Sequence, residues 1–302
     1  MQQWTLTGKV CMVTGATSGI GKHTATALAS QGAELVITGR NPGKIEATVR
    51  QIKAETGNDT VHHLLADSSD LDQVRELAAL FKERFPRLDV LVNNAGSFFN
   101  TRRETQYGVE KTFLVNHLAP FLLTNLLIDT MQASSPARIV NVSSDAHQYG
   151  TMDLNDLGFK RGYVGMKAYA RSKLANILFT YEAVRRLGES SISVNALHPG
   201  HVATDIWKSN FSIVGPALKW VMGLFALSPE EGAYNSILLA SSPVVADLSG
   251  KYFVKREPAQ SSPLSYDEDL AKRLWETSEE LTSISSNNFG FLQQPTTLHT
   301  GA

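Results

Sequence analysis

The feature that most restricts how this chain can fold is a rhythm. From about residue 9 to residue 200, short apolar runs rich in β-branched residues alternate with longer stretches whose apolar positions recur every three or four residues. The first pattern suits a strand and the second a helix, and their alternation is the signature of βαβ units building a parallel sheet. Strands are expected at 9–14, 34–38, 61–66, 90–93, 138–142, 193–197 and 251–254. Helices are expected at 19–31, 41–55, 70–85, 107–132, 166–188 and 229–241, with a further amphipathic helix at 266–281. The first and fifth strands read as unbroken apolar runs, as they do when helices cover both faces of a sheet. The expected architecture is a doubly wound α/β fold with a seven-stranded parallel sheet. With no linker, repeat or low-complexity tract, all 302 residues are read as a single domain. Two stretches break the rhythm. Segment 201–228 concentrates Trp207, Phe211, Trp220 and Phe225 and reads as a lid, an association surface, a peripheral membrane contact or a packed helix. Segment 283–302 is a polar tail with little to bury, read as mobile.

Charge and cysteine usage exclude several classes. Lys plus Arg total 28 against 29 Asp plus Glu, a net charge of -1, so no field recruits nucleic acid or anionic lipid. Cys11 is the only cysteine and lies in the apolar run Val10-Cys11-Met12-Val13, which forbids an internal disulfide and predicts an inert, buried thiol. The start of the chain lacks a signal-peptide core, and no run of 18 apolar residues stands out, so no transmembrane segment and a cytoplasmic location are expected. The sequons at Asn58, Asn141 and Asn210 are then chance matches. No metal site is expected: His198 and His201 lack a Cys or acidic partner at ligand spacing, and His62 and His63 point to opposite strand faces.

Directly after the first strand comes Thr14-Gly15-Ala16-Thr17-Ser18-Gly19-Ile20-Gly21, followed by a helix. Glycines at such a turn let the backbone approach a pyrophosphate, whose charge the helix N-terminus stabilises. A structural turn is the bland alternative, but a strand before it and a helix after it favour a dinucleotide cradle, making the fold Rossmann-like. The second strand ends Thr38-Gly39-Arg40-Asn41, where an NAD site presents a carboxylate. An arginine can instead fork onto a 2'-phosphate, so NADP(H) is preferred over NAD(H), with Lys22 a second candidate cation; otherwise Arg40 is a solvated surface charge. Asp67 ends the third strand and either meets the adenine or caps the helix starting near Asp70.

Tyr169 and Lys173 stand four apart in a helical stretch and share a face. A cation near a phenol can lower its pKa by about 1 to 3 units, making it able to trade protons with a substrate hydroxyl or carbonyl. The same spacing recurs at Tyr163 and Lys167, but Gly162 and Gly165 flank that tyrosine in a loop. Tyr169 is therefore the chosen acid/base, and Tyr163 at most lines the pocket.

These residues resemble the short-chain dehydrogenase/reductase family. The matching elements are the glycine turn, Asn93-Asn94-Ala95-Gly96, Val115-Asn116, Asn141-Val142-Ser143-Ser144, Tyr169-x3-Lys173 and Pro199-Gly200-x-Val202-x-Thr204. The resemblance covers about residues 8–256. It implies Tyr169 as acid/base, Lys173 holding the nicotinamide ribose and lowering the tyrosine pKa, Ser144 polarising a carbonyl and Asn116 anchoring a relay water. It implies that Gly15, Thr17, Ser18, Gly19, Ile20, Gly21, Asn94, Ala95, Gly96, Pro199, Gly200, Val202 and Thr204 line the cofactor. Within the family the chain is most similar to retinol-dehydrogenase-like reductases, through Gly19-Ile20-Gly21-Lys22, Val115-Asn116-His117-Leu118, Ser172-Lys173-Leu174-Ala175-Asn176 and His198-Pro199-Gly200. That similarity implies NADP(H), a small-molecule lipophilic aldehyde or ketone as substrate and a homo-oligomer. His147, three residues after Ser144, is read as facing the substrate. Two other readings stay open: a reductase or epimerase of a polar, sugar-like substrate, and a non-catalytic NADP-binding regulator.

Overall fold

In the computed structural model, residues 5–200, 202 and 227–285 are described. The chain starts its sheet with β1 (Val10–Val13), then lays down β2 (Glu34–Gly39), β3 (Val61–Leu65), β4 (Val90–Asn93), β5 (Ala137–Val142), β6 (Ile192–Leu197), β7 (Tyr252–Val254) and β8 (Glu257–Ala259). Their spatial order is β3-β2-β1-β4-β5-β6-β7-β8. Cys11 faces Leu35 on one side and Val90 on the other, so the chain winds outward from β1 in both directions. This reversal puts a crevice outside the carboxyl ends of β1 and β4, where open α/β sheets bind their ligands.

The expected seven parallel strands are all present, and the eighth is a correction. β8 pairs antiparallel with β7 through a turn in which Lys255 and Arg256 both have positive φ, 49° and 71°. That is the backbone of a tight hairpin, but without the Asn-Gly or Asp-Gly that announces one in a sequence. β8 is exposed and carries Pro258, as suits an edge strand.

Seven helices flank the sheet among the described residues: α1 (Gly19–Ser30), α2 (Pro42–Thr56), α3 (Leu71–Arg84), α4 (Lys111–Ala133), α5 (Gly165–Leu187), α6 (Pro229–Ser241) and α7 (Glu268–Thr282). Alternation along β1 divides the core in two. Val10 and Met12 join the cluster beneath α3, α4, α5 and α7, while Cys11 and Val13 join the one beneath α1, α2 and α6. Cys11 is buried and unpaired, and burial pushes its thiol pKa up, so it is unreactive as expected. α4 starts four residues later than its periodicity suggests because Glu110 caps it, accepting from the Phe113 amide at 3.0 Å. By length and composition alone it is also long and apolar enough to cross a bilayer, although 83% of the qualifying window is buried, as in a core helix.

α7 lays an apolar face of Ala271, Leu274 and Trp275 over α5. The Trp275 ring meets Phe121 of α4 at 5.0 Å and Phe179 of α5 at 5.6 Å, so Trp275→Ala should cost about 3 to 5 kcal/mol. His117 lies in the same cluster with Nε2 3.0 Å from the Ser278 hydroxyl. Of the stretches that broke the sequence rhythm, almost all of the proposed lid at 201–228, with His201, and the tail beyond Ser285 lie outside the described residues.

Burial holds the His117 pKa at about 3, well below the ordinary 6.5, with Asn176 pulling the other way. The unfolded chain therefore takes up this proton first. The stabilisation is complete above about pH 6.5 and falls by up to about 1.4 kcal/mol per pH unit from there towards pH 3. Thermal melts should show a smaller drop in Tm between pH 7 and pH 4.5 for His117→Gln than for the natural chain.

Candidate active site

The glycine turn fits against the end of β4 with no room for side chains at two positions. Gly15 has φ +64°, and a Cβ there would stand 2.8 Å from the Ala95 Cα; a Cβ on Gly21 would stand 2.3 Å from the Asn94 amide nitrogen. Asn94 stitches the two segments together: its side chain donates to the carbonyls of Thr14 at 2.8 Å and Gly15 at 3.2 Å. The Thr14 hydroxyl accepts from the amides of Asn94 and Ala95, both at 3.0 Å. Ser18 holds the N-cap of α1 in extended geometry without a side-chain cap bond, leaving the N-terminal amides free to face an anion. Thr17 sits beside Gly39 at the end of β2. Ile20 and Val202 both crowd Gly232 of α6, and Val202 bridges to Leu227, closing the segment that leaves β6 through Pro199 and Gly200. A dinucleotide fits this cradle: an uncapped helix start, a close-packed glycine turn and a carboxyl-end crevice coincide. Gly19 lies in the same turn, at the start of α1, whereas Thr204 falls outside the described residues.

At the far end, Arg40 and Asp67 meet, Nη1 to Oδ2 at 3.6 Å, with the guanidinium largely exposed. Lys22 turns away to Gln51 at 2.6 Å. Asp67 is not the cap of α3. It accepts from Ser69 at 2.9 Å, while Asp70 caps the helix through the amides of Asp72 and Gln73.

The four remaining candidates converge at the carboxyl ends of β4 and β5. α5 brings Tyr169 and Lys173 to one face, both buried. Lys173 Nζ donates to the Val142 carbonyl at 2.9 Å, and the Ser143 hydroxyl donates to the Lys173 carbonyl at 2.7 Å, docking the helix on β5 from both directions. Ser144 follows in extended geometry and caps the short turn Asp145–Tyr149, accepting from the Ala146 amide. Asn116 sits in a π-helical turn, Leu114–Leu118, inside α4. Such widened turns recur at functional sites because they re-aim side chains. Its amide donates to the Ser97 carbonyl at 3.0 Å and the Ser172 hydroxyl at 2.9 Å, and its oxygen accepts from the Ser97 amide at 2.7 Å. Gly96 lies between, its Cβ direction aimed at Asn116 Oδ1 and Lys173 Nζ.

Lys173 is not among the groups that shift the Tyr169 pKa in this geometry. Burial pushes Tyr169 up to about 12, Ser144 lowers it through a side-chain hydrogen bond and the charge of Asp145 adds to the rise. Lys173 is itself lowered to about 8 by burial. Its ammonium is committed to the Val142 carbonyl and stands 5.5 Å from the centre of the tyrosine ring, so desolvation dominates. Tyr169 is a neutral phenol in this geometry.

Tyr163 is bonded on the other side of the helix start. Its hydroxyl donates to the Phe99 carbonyl at 2.7 Å and approaches the buried carboxylate of Glu110 at 3.3 Å. His147 does not face a substrate: it is fully buried and both ring nitrogens are bonded within the fold. Sequence reasoning passed over Ser97, Ser143 and Ser172, which hold the catalytic candidates in place. Ser172 could have been found at three residues from Tyr169, on the same helical face, whereas Ser97 carries no sequence signal.

Comparisons with known proteins agree on the kind of chain this is. A family model described as short chain dehydrogenase matches residues 9–213. Retinol dehydrogenase 13 of Homo sapiens is 42% identical over 291 residues, covering 93% of this chain and 87% of that protein. Among solved structures, an uncharacterized protein from Mycobacterium Paratuberculosis superposes with a TM-score of 0.77 at 31% identity, over 94% of this chain and 97% of that one. A Pseudomonas aeruginosa protein solved as an NADP active-site complex gives 0.68 at 26% identity, over 84% and 97%.

Gly21→Ala puts a methyl group where the Asn94 amide stands. Titration of intrinsic fluorescence with NADPH should show a Kd raised by about tenfold or more, roughly 1.4 kcal/mol, with the circular dichroism of the fold unchanged.

Proposed function

The chain belongs to the short-chain dehydrogenase family, and from that premise we propose that it is an NADP(H)-dependent reductase of lipophilic aldehydes or ketones, working through Tyr169, Ser144, Lys173 and Asn116. The observation that carries this reading is the convergence of those four side chains beside a glycine turn that leads into the uncapped start of α1. When bound, the nicotinamide supplies or accepts the hydride. Everything else falls to the protein. The Ser144 hydroxyl, coupled to Tyr169, is placed to hydrogen-bond a carbonyl oxygen as charge develops on it. Tyr169, neutral because it is buried, is the proton donor for that oxygen in reduction and takes the proton back in oxidation. Lys173 keeps a positive charge beside the site, and Asn116, locked to Ser97 and Ser172, holds the opposite wall.

The choice of NADP(H) rests on Arg40, exposed at the end of β2 where no carboxylate of that strand stands, and on the neighbour solved with NADP. The lipophilic substrate rests on the relative named for retinol, an apolar alcohol, and on the apolar surroundings of the tyrosine, with Phe98 edge-on to Tyr169 at 5.9 Å. An assembled tetrad favours an enzyme over a non-catalytic regulator.

NADPH consumption with a panel running from short aldehydes to retinal tests the reading. Turnover should favour the apolar members, fall by about 10² or more in Tyr169→Phe and stay within about threefold in Tyr163→Phe. Arg40→Ala should raise the KM for NADPH by about tenfold, about 1.4 kcal/mol, and leave that for NADH unchanged. Equal loss in both tyrosine variants would contradict the assignment of the acid.

A further inference from the structure

Ser144 is held from behind by a residue with no part in the proposed chemistry. Its carbonyl accepts two bonds from His147, one from the backbone amide at 3.1 Å and one from ring Nδ1 at 2.6 Å. The other ring nitrogen, Nε2, accepts from the Ser262 amide at 3.0 Å. These partners fix the tautomer. A peptide N–H can only donate, so Nε2 must be the bare nitrogen, and a carbonyl can only accept, so Nδ1 carries the hydrogen. The imidazole is fully buried, edge-on to Tyr252 at 4.8 Å, and Ser262 is buried as well. Ser262 belongs to a segment that is itself pinned: the neighbouring Ser261 hydroxyl is bonded to Tyr181 of α5 at 2.7 Å and to Ser265 at 2.6 Å.

We infer that His147 is a positioning residue, a neutral imidazole tether that fixes the Ser144 peptide to the segment following β8. A substrate-polarising hydroxyl works only if it is pre-aimed, and a misplacement of about 1 Å can cost up to about 10² in rate. Ser144 sits at the exit of β5 with backbone angles of −164° and 155°, so its side-chain direction follows the peptide that His147 grips. The tether passes the hold to α5, the same helix that carries Tyr169, so hydroxyl and phenol are referred to one frame.

This inference rests on the proposed roles of Ser144 and Tyr169, so its test includes a variant that judges those roles separately. Single-turnover hydride transfer from NADPH to an apolar aldehyde would be followed in the full chain, well below each variant's melting temperature, alongside NADPH affinity. His147→Phe removes both ring bonds, and the rate should fall about tenfold with the NADPH Kd unchanged. His147→Asn keeps a donor at the Nδ1 position, and should recover the rate to within about threefold. Ser261→Ala leaves the imidazole and the Ser262 amide in place but removes the hydroxyl that pins the segment to Tyr181 and Ser265, and should slow hydride transfer about threefold with the fold retained. This variant keeps the test decisive if His147→Phe does not fold. Natural rates in both His147→Phe and Ser261→Ala, or equal rate loss in the Phe and Asn variants tracking their Tm, would overturn the tether. If Tyr169→Phe transfers hydride at the natural rate, the underlying reading of the site fails instead.

Discussion

The site depends on how α5 is locked onto β4 and β5, and the lock is polar although it lies in the core. Lys173 is a buried ammonium whose pKa is lowered by burial alone, and it finds the Val142 carbonyl. Two turns further along α5, Asn141 donates to the Thr180 hydroxyl at 2.9 Å and accepts from Asn93 at 2.9 Å, while Asn93 also reaches Thr124 of α4 at 3.1 Å. A sheet-on-helix interface made only of Leu and Val could slide by a fraction of a residue at little cost. Buried amides and an ammonium cannot, because an unmade bond in the interior costs about 1 to 3 kcal/mol. The ladder therefore sets the register between the strand that carries Ser144 and the helix that carries Tyr169.

Burial also sets the chemistry. Taking Tyr169 out of water favours the uncharged phenol and taking Lys173 out of water weakens its hold on a proton, so burial drives the two pKa values apart, to about 12 and about 8. At pH 7 the pair is a neutral acid beside a cation. That arrangement suits delivery of a proton to a carbonyl oxygen, and the reverse reaction must supply the means of ionising the phenol. The C-terminal elements reach this region at two points, through His147 behind Ser144 and through the bond between His117 and Ser278 behind the π turn of Asn116. Both imidazoles are held neutral by burial.

Much of this was legible in the sequence because its causes are local. The alternation of periods 2 and 3.6 placed the strands and helices, with α6 at its observed limits, and the glycine turn announced where the cradle would lie. That Tyr169 lies in a helix and Tyr163 before it was also readable, from the glycines on either side of Tyr163. What could not be read depends on contacts between distant segments or on unusual backbone. The β7–β8 hairpin turns on two non-glycine residues of positive φ. The direction of the Tyr169 shift follows from its burial in the assembled fold, and the inward turn of His147 follows from Ser262, far along the chain. Neither fact has a pattern in the residues around it.

The most direct test of the account is the pH dependence of hydride transfer to an apolar aldehyde, measured in a single turnover with NADPH saturating. With Tyr169 a buried neutral phenol, the rate should be flat between pH 6 and pH 7.5. A rate that falls across that interval with a midpoint near 7, and loses the fall in Tyr169→Phe, would show that the tyrosine is already ionising there and would contradict the account.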